Sequence, residues 1–328
     1  MRFYLQKIGF YVVAIWAAIT INFVIPRLMP GNPVDVIISK MAAAGQPVTP
    51  QTKHAIEVAL GGGGGTWWQQ YGDYLVNLLH GNLGISLVDY PEKVSTVIGQ
   101  ALPWTIALVG LATVISFIIG VALGMFAGWR RGSWLDNLIP VTTMFQAVPY
   151  FWLALILVLL LSRVVQWFPY AGGYDVAATV PGFSLQFIGS ALYYGILPAL
   201  TIVLSSIGGW MLGMRNMMVA TLSEDYIVTA EAKGLKPTRV RFTYAARNAV
   251  LPSLSGFAIS LGFVVAGSIV TEQVFSYPGV GQLLFTAVSN NDYALMQGVF
   301  LVISLSVLAA NLVVDVLYGL IDPRTRAR

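Results

Sequence analysis

The chain is 328 residues long, 57% hydrophobic and only 10% charged, where a soluble domain carries about 25% charged residues; this excludes an ordinary water-soluble enzyme and makes lipid the solvent. The formal net charge of +4 is spread over separate segments, which excludes a nucleic-acid stripe and fits contact with anionic membrane lipids. With no cysteine, disulfides, thiolate metal sites and cysteine nucleophiles are excluded as well.

A hydrocarbon core about 30 Å thick takes about 20 apolar residues of helix, because lipid offers backbone N–H and C=O groups no partner. Six segments have that length: residues 9–29, 102–128, 138–162, 193–214, 252–271 and 296–320. The reading is an all-α, polytopic membrane helix bundle with six transmembrane helices, a single domain over residues 1–328. The first apolar run follows Arg2 and Lys7 and has no clear small-residue cleavage site, so it is expected to stay in the membrane. Residues 30–101 form the largest polar segment, with the turn Pro30-Gly31-Asn32-Pro33, a bend at residues 46–50 and five glycines at residues 61–65. The glycines read as a flexible connector, since no Lys-Ser or Lys-Thr follows as a phosphate loop requires. A short helix is expected over residues 67–80, where Trp67, Trp68, Tyr71 and Tyr74 suit the headgroup zone. His54 and His80, the only histidines, lack metal-ligand spacing. Further polar loops fall at residues 163–192 and 273–295; the second of these follows Glu272 and contains Phe275 and the turn Tyr277-Pro278-Gly279-Val280-Gly281.

Lysine and arginine placement orients the segments. With the N-terminus inside, Arg2, Lys7, Arg130, Arg131, Arg215, Lys233, Lys236, Arg239, Arg241, Arg247, Arg324, Arg326 and Arg328 fall on the inner side, 13 of 18 basic residues. Both termini are therefore expected in the cytoplasm, with residues 30–101 outside and residues 215–251 inside.

The inner insert is the most regular polar stretch. Ser223 is expected to cap a helix whose first turn holds Glu224 and Asp225, favoured by the positive end of the helix dipole. Gly234 is expected to end that helix in a left-handed conformation, and Pro237 to open a second one. On the resulting elbow Ile227, Ala230 and Glu231 share a face, an apolar strip suited to a cleft in a partner. The alternative is a solvated loop whose basic residues only fix topology. Glu272 and Asp315 are carboxylates near span ends, read as structural hydrogen-bonding groups, for Asp315 with Asn311 one turn earlier. Gly208, Gly209, Gly213, Gly256, Gly262 and Gly267 are expected to let helices approach closely.

The order Asp225-Tyr226-Ile227-Val228-Thr229-Ala230-Glu231-Ala232-Lys233-Gly234-Leu235, followed by Arg247-Asn248-Ala249-Val250-Leu251-Pro252, resembles the cytoplasmic loop of ABC importer permeases of the dipeptide/oligopeptide branch. Pro30-Gly31-Asn32-Pro33 is similar to the family's PGDP, Gly81-Asn82-Leu83-Gly84-Ile85-Ser86 to its GDLGxS, and Val148-Pro149-Tyr150-Phe151-Trp152 to its VPxFW. Residues 274–281 and 311–324 match two further blocks. Asn stands for the usual Asp at positions 32 and 82, and Val228 stands where the general loop motif has Glu.

The resemblance implies a type I ABC importer fold, pairing with a second homologous permease, two cytoplasmic ABC ATPase subunits and an extracytoplasmic solute-binding protein. It implies that Glu224, Asp225, Tyr226, Ile227, Thr229, Ala230, Glu231, Ala232, Lys233, Gly234 and Leu235 form the ATPase-coupling helix. It further implies that Glu272, Phe275, Tyr277, Pro278, Gly279 and Gly281 form a gate or binding-protein loop, and deletion of residues 273–291 is expected to leave assembly intact while abolishing transport. The chain has no GxxxxGK[ST] loop, so no catalytic residue, cofactor or metal is assigned to it, and ATP and Mg belong to the partner ATPases. Members of this branch carry short peptides, oligosaccharides or nickel. A secondary transporter driven by an ion gradient is the competing class; it predicts paired broken helices and buried charge relays.

Overall fold

In a computed structural model of the chain the described residues are 2–28, 34, 38–39, 41–42, 47, 49–53, 66–264 and 269–321. The turn at residues 30–33, His54, the glycine run at residues 61–65, Gly267 and the side chain of Asp315 lie outside them. The described residues of the six apolar segments are helical except at residues 148–149 and at residue 263. The helices are α1 (Arg2–Leu28), α2 (Trp67–Leu79), α3 (Val94–Trp129), α4 (Trp134–Ala147), α5 (Tyr150–Leu157), α6 (Leu185–Leu222), α7 (Asp225–Ala232), α8 (Pro237–Arg239), α9 (Arg247–Ala249), α10 (Leu251–Gly262), α11 (Ile269–Val274), α12 (Val280–Ser289) and α13 (Tyr293–Ile321). Wider π-helical turns extend α5 over Val158–Val164 and join α8 to α9 over Val240–Ala246.

Among the described residues, α3, α6 and α13 are each long and apolar enough to cross a membrane, and the apolar part of α1 covers Gly9–Ile25. The third expected span is not one straight helix: the segments Trp134–Ala147 and Tyr150–Val164 meet at 98°. The cause is Pro149, whose ring disfavours helical backbone in the residue before it; Val148 is extended, with φ −76° and ψ 128°. The fifth expected span is likewise interrupted, with α10 ending at Gly262 and α11 starting at Ile269. Residues 273–295, expected as a loop, hold the ten-residue helix α12. Its Val280, Leu284 and Ala287 recur at spacings of four and three and are buried, so the stretch is an amphipathic helix interrupting a turn.

The chain divides into two compact units, Met1–Trp104 with Pro278–Arg328, and Thr105–Tyr277. In the first, α13 packs against α1 and α12. Helix α2 lies on the end of α1, where the buried Phe23 ring stands 5.0 Å from that of Tyr71, and the hydroxyls of Thr20 and Tyr71 are 2.7 Å apart.

In the second unit α6 is the strut. Its 38 residues extend about 57 Å at 1.5 Å per residue, well beyond the hydrocarbon core. Helix α4 packs on it where Gly208 lies under the backbone of Thr142. Helix α3 packs on it through Gly120, Gly124 and Gly128, one residue per turn on a single face. A Cβ at Gly120 would fall 2.6 Å from Trp210 Cβ, one at Gly128 2.6 Å from Met218 Cβ, and one at Gly124 closer still to the carbonyl oxygen of Met211. Lipid tails give apolar helices no hydrophobic reason to associate, so this small-residue seam, which lets backbones meet, is what joins α3 to α6. Ser116 and Ser206, with hydroxyls 2.7 Å apart, extend the seam by one turn. Of the glycines singled out from the sequence, Gly208 and Gly209 are at close approaches, Gly256 makes ordinary contact with Trp210, and Gly213 has nothing within 4 Å of where its Cβ would be.

These contacts predict that Gly124→Ala, which sets a methyl against backbone, will destabilise the protein by roughly 1–3 kcal/mol. Gly213→Ala, entering open space, will be neutral or slightly stabilising, because Ala is the better helix former. Thermal unfolding in detergent separates the two, and equal losses would overturn the seam.

Candidate functional site

The elbow expected at residues 223–252 is present, and its turn chemistry follows from its residues. Helix α7 ends in a Schellman motif: Gly234 N–H donates to Glu231 O at 2.8 Å and Leu235 N–H to Ala230 O at 3.3 Å. Gly234 has φ +72°, a left-handed backbone that costs a residue with a Cβ about 1–2 kcal/mol. Pro237 then occupies the first position of α8, where its missing N–H is not needed. The cap differs from expectation. Ser223 turns back to donate to Ala220 O at 2.7 Å, ending α6, and Glu224 is the N-cap residue of α7. The connection is too short for Ser223 to serve both helices.

The apolar strip also faces the other way. Ile227 and Ala230 are 2% and 3% exposed and sit in a core made with Met214 and Met218 of α6 and with Val240, Ala245, Ala246 and Ala249 beyond the elbow. Leu235, Trp129 and Met125 pack around that core. Burying the Ile227 side chain alone stabilises this joint by roughly 1.5–3 kcal/mol. The strip is thus the hinge pin of the elbow, and an occupied one. What α7 leaves exposed is the opposite side: Glu224, Asp225, Tyr226, Val228, Thr229, Glu231, Ala232 and Lys233.

Polar contacts brace the joint. Asn248 Nδ2 donates to the Tyr226 hydroxyl at 2.9 Å, tying α9 to α7. The guanidinium of Arg241 lies 4.9 Å from the Trp129 ring and 5.5 Å from that of Phe126, at the end of α3. Arg241 is therefore partly covered by aromatic rings, as cation–π attraction favours. Arg215 of α6 grips Asp136 of α4, with Nε 3.0 Å from Oδ1 and Nη2 3.3 Å from Oδ2. Ser133 Oγ caps α4 by accepting from Asp136 N–H. At this end, three helices and the elbow form one braced body.

The expected gate residues are not a surface. Glu272, Phe275, Tyr277, Gly279 and Gly281 are buried, and Pro278 is half-buried. Glu272 is wholly buried and accepts a hydrogen bond from Thr105 Oγ1 at 2.9 Å, the structural role expected for it. Phe275 O accepts from Gly172 N–H at 2.8 Å, fixing the turn to the loop after α5. Burial, and secondarily Glu272, pushes the Tyr277 phenol up to about 12, so it stays a hydroxyl at any working pH. With this turn and the inner side of α12 packed, deletion of residues 273–291 would remove the buried Phe275, Tyr277, Val280, Leu284 and Ala287. Sequence reasoning also missed Asp292, buried beside Ser86; a carboxylate one residue before a helix was the available signal.

Residues 120–327 match the family described as binding-protein-dependent transport system inner membrane component. The chain belongs to that family. It is 35% identical to the di/tripeptide transport system permease protein DppB of Pseudomonas aeruginosa over 99% of both chains. It is 32% identical to the oligopeptide transport system permease protein AppB of Bacillus subtilis over 95% of both, and 31% identical to the dipeptide transport system permease protein DppB of Escherichia coli over 99% of both. As a multi-pass inner-membrane component of a binding-protein-dependent system, this permease is not the ion-gradient transporter considered from the sequence. The family match contains the α3–α6 seam from Gly120 onward, the braced end and the elbow; residues 81–94 lie before it.

For this permease, Ala230→Glu buries an unpaired charge and is expected to cost about 3 kcal/mol or more. Its thermal unfolding should fall sharply, whereas Ala232→Glu, on the exposed side, should unfold as the parent does. Equal stability of the two variants would overturn the assignment of faces.

Proposed function

We propose that this permease imports short peptides handed over by an extracytoplasmic binding protein, in complex with a second homologous permease and two cytoplasmic ATPase subunits that bind ATP and Mg. The chain itself binds no cofactor and performs no hydrolysis. The peptide assignment is supported by the names of its relatives, which are di/tripeptide, dipeptide and oligopeptide permeases. Both termini and the elbow lie in the cytoplasm and residues 30–101 outside, as the basic residues require.

One observation carries the mechanism: α7 is exposed on one side while its other side is buried against α6. A helix held this way transmits a push on its outer side into the membrane helix instead of flexing. In this reading the exposed Tyr226, Val228, Thr229, Ala232 and Lys233, with the acidic Glu224, Asp225 and Glu231, seat in an ATPase groove. Ile227, Ala230, Gly234 and Leu235 hold the lever's angle. When the ATPases close on nucleotide, α7 moves with them, and α6 carries α3 and α4 through the glycine seam and the Arg215–Asp136 pair. Such rigid-body movement of packed helices is the ordinary form of alternating access. The buried turn at residues 272–281 acts as a strut in the path, not as a docking surface.

The test is the purified complex in lipid vesicles, with ATP hydrolysis and peptide uptake measured together. Val228→Asp and Ala232→Arg are expected to lower uptake per ATP at least tenfold with unchanged thermal stability. Parental coupling in both variants would overturn the docking role of α7, and preferential uptake of an oligosaccharide or nickel would overturn the peptide assignment. Because the sequence has no cysteine, single cysteines report topology cleanly. Cysteine at residue 183 should label from outside and at residue 132 only from inside; the reverse pattern would invert the orientation.

A further inference from the structure

The motif Gly81-Asn82-Leu83-Gly84-Ile85-Ser86 has no part in the coupling described above, yet it is held by a dense polar cluster. Asp292 and Ser86 are both wholly buried. Asp292 Oδ2 accepts from Ser86 Oγ at 2.7 Å, from Leu87 N–H at 2.6 Å and from Val88 N–H at 3.0 Å, while Oδ1 accepts from Leu295 N–H at 3.0 Å in the first turn of α13. One carboxylate thus caps a helix and binds a loop some two hundred residues earlier in the chain. Hydrogen bonds to a carboxylate are about twice as strong as neutral ones.

The glycines of the motif serve the same join. Gly84 has φ +87°, and its N–H is held by Asn82 Oδ1 at 3.1 Å. Beyond it the chain doubles back: Ser86 N–H donates to Glu92 O at 2.9 Å, Val94 N–H to Gly84 O at 3.1 Å, and Ile85 pairs antiparallel with Lys93. The returning segment reaches Val94, wholly buried at the start of α3, where Gly298 of α13 leaves room for its side chain. A short tip is therefore clamped at both ends, and it presents Asp89, Tyr90, Pro91, Glu92 and Lys93 to solvent. Tyr90 is 72% exposed.

We propose that this clamped tip, with Tyr90 at its apex, is a docking point for the extracytoplasmic solute-binding protein, whose matching surface is an apolar pocket rimmed by basic residues. The proposal rests on the reading of residues 30–101 as lying outside. A large aromatic side chain on a rigid support loses little freedom on binding, which is the character of interface anchors. Asp89 and Glu92, against the single Lys93, leave the tip net negative and so disfavoured by anionic headgroups, which separates it from the lipid-suited Trp67 and Trp68 of α2. The same two carboxylates draw a basic rim on a protein partner.

The experiment uses the assembled transporter with its ATPases in vesicles and titrates purified binding protein against ATP hydrolysis. Tyr90→Ala is expected to raise the half-maximal binding-protein concentration at least tenfold, with basal hydrolysis and thermal stability unchanged, while Tyr90→Phe stays within twofold of the parent. Asp89→Lys with Glu92→Lys should raise it as well and flatten its salt dependence. Ser86→Ala, which loosens the clamp and leaves Tyr90 in place, should give a smaller shift in the same direction. A parental half-maximal concentration in Tyr90→Ala, or a shift accompanied by lowered stability, would overturn the tip alone. A parent complex that hydrolyses ATP without any response to binding protein would overturn the tip and the underlying reading together.

Discussion

The unit Thr105–Tyr277 depends on how closely its backbones approach α6. In lipid, apolar side chains gain nothing by leaving their neighbours for one another, so helix association rests on dispersion contacts and on hydrogen bonds that lipid cannot supply. Gly120, Gly124 and Gly128 bring the backbone of α3 onto α6, and Gly208 brings that of α4 onto it. Larger residues at these positions would move side chains and carbonyls apart. The packed elbow, the ion pair and the aromatic shelf for Arg241 follow from having α3, α4 and α6 already in register.

From that register comes the division of labour at the elbow. A helix of eight residues has little stability of its own, since helices shorter than about 12–15 residues are marginal in water. Helix α7 persists because Ile227 and Ala230 are buried on α6 and because the Schellman motif at Gly234 fixes where it stops. Tertiary packing, not propensity, makes it a helix. The same packing makes it a lever, because the side chains that stabilise it are the ones that join it to a membrane helix.

Acidic side chains brace three of the joints. Asp292 holds the N–H groups of Leu87 and Val88, Glu272 accepts from Thr105, and the part-exposed Asp136 pairs with Arg215. The two buried acids, Asp292 and Glu272, both accept from named donors, as burial of such a group requires.

Composition and patterning were sufficient for the membrane class, the approximate position of six apolar segments and the location of the elbow with its Gly234 and Pro237. These are local matters: segment length against bilayer thickness, and backbone preferences of single residues. The Gly120-Gly124-Gly128 repeat is also legible in the sequence, being a small residue every fourth position. What the tertiary structure alone decided is which way surfaces face. Periodicity identifies that Ile227 and Ala230 share a side but not whether that side meets Met214 and Met218 or a partner, since an apolar strip suits either. Likewise the turn at residues 277–281 was visible, but its burial was not, and the link from Asp292 to Ser86 spans a sequence separation over which pattern carries no information. The bend at Val148 lay between these cases: Pro149 marks it locally, but its angle of 98° goes with the packing of both α4 and α5 on α6.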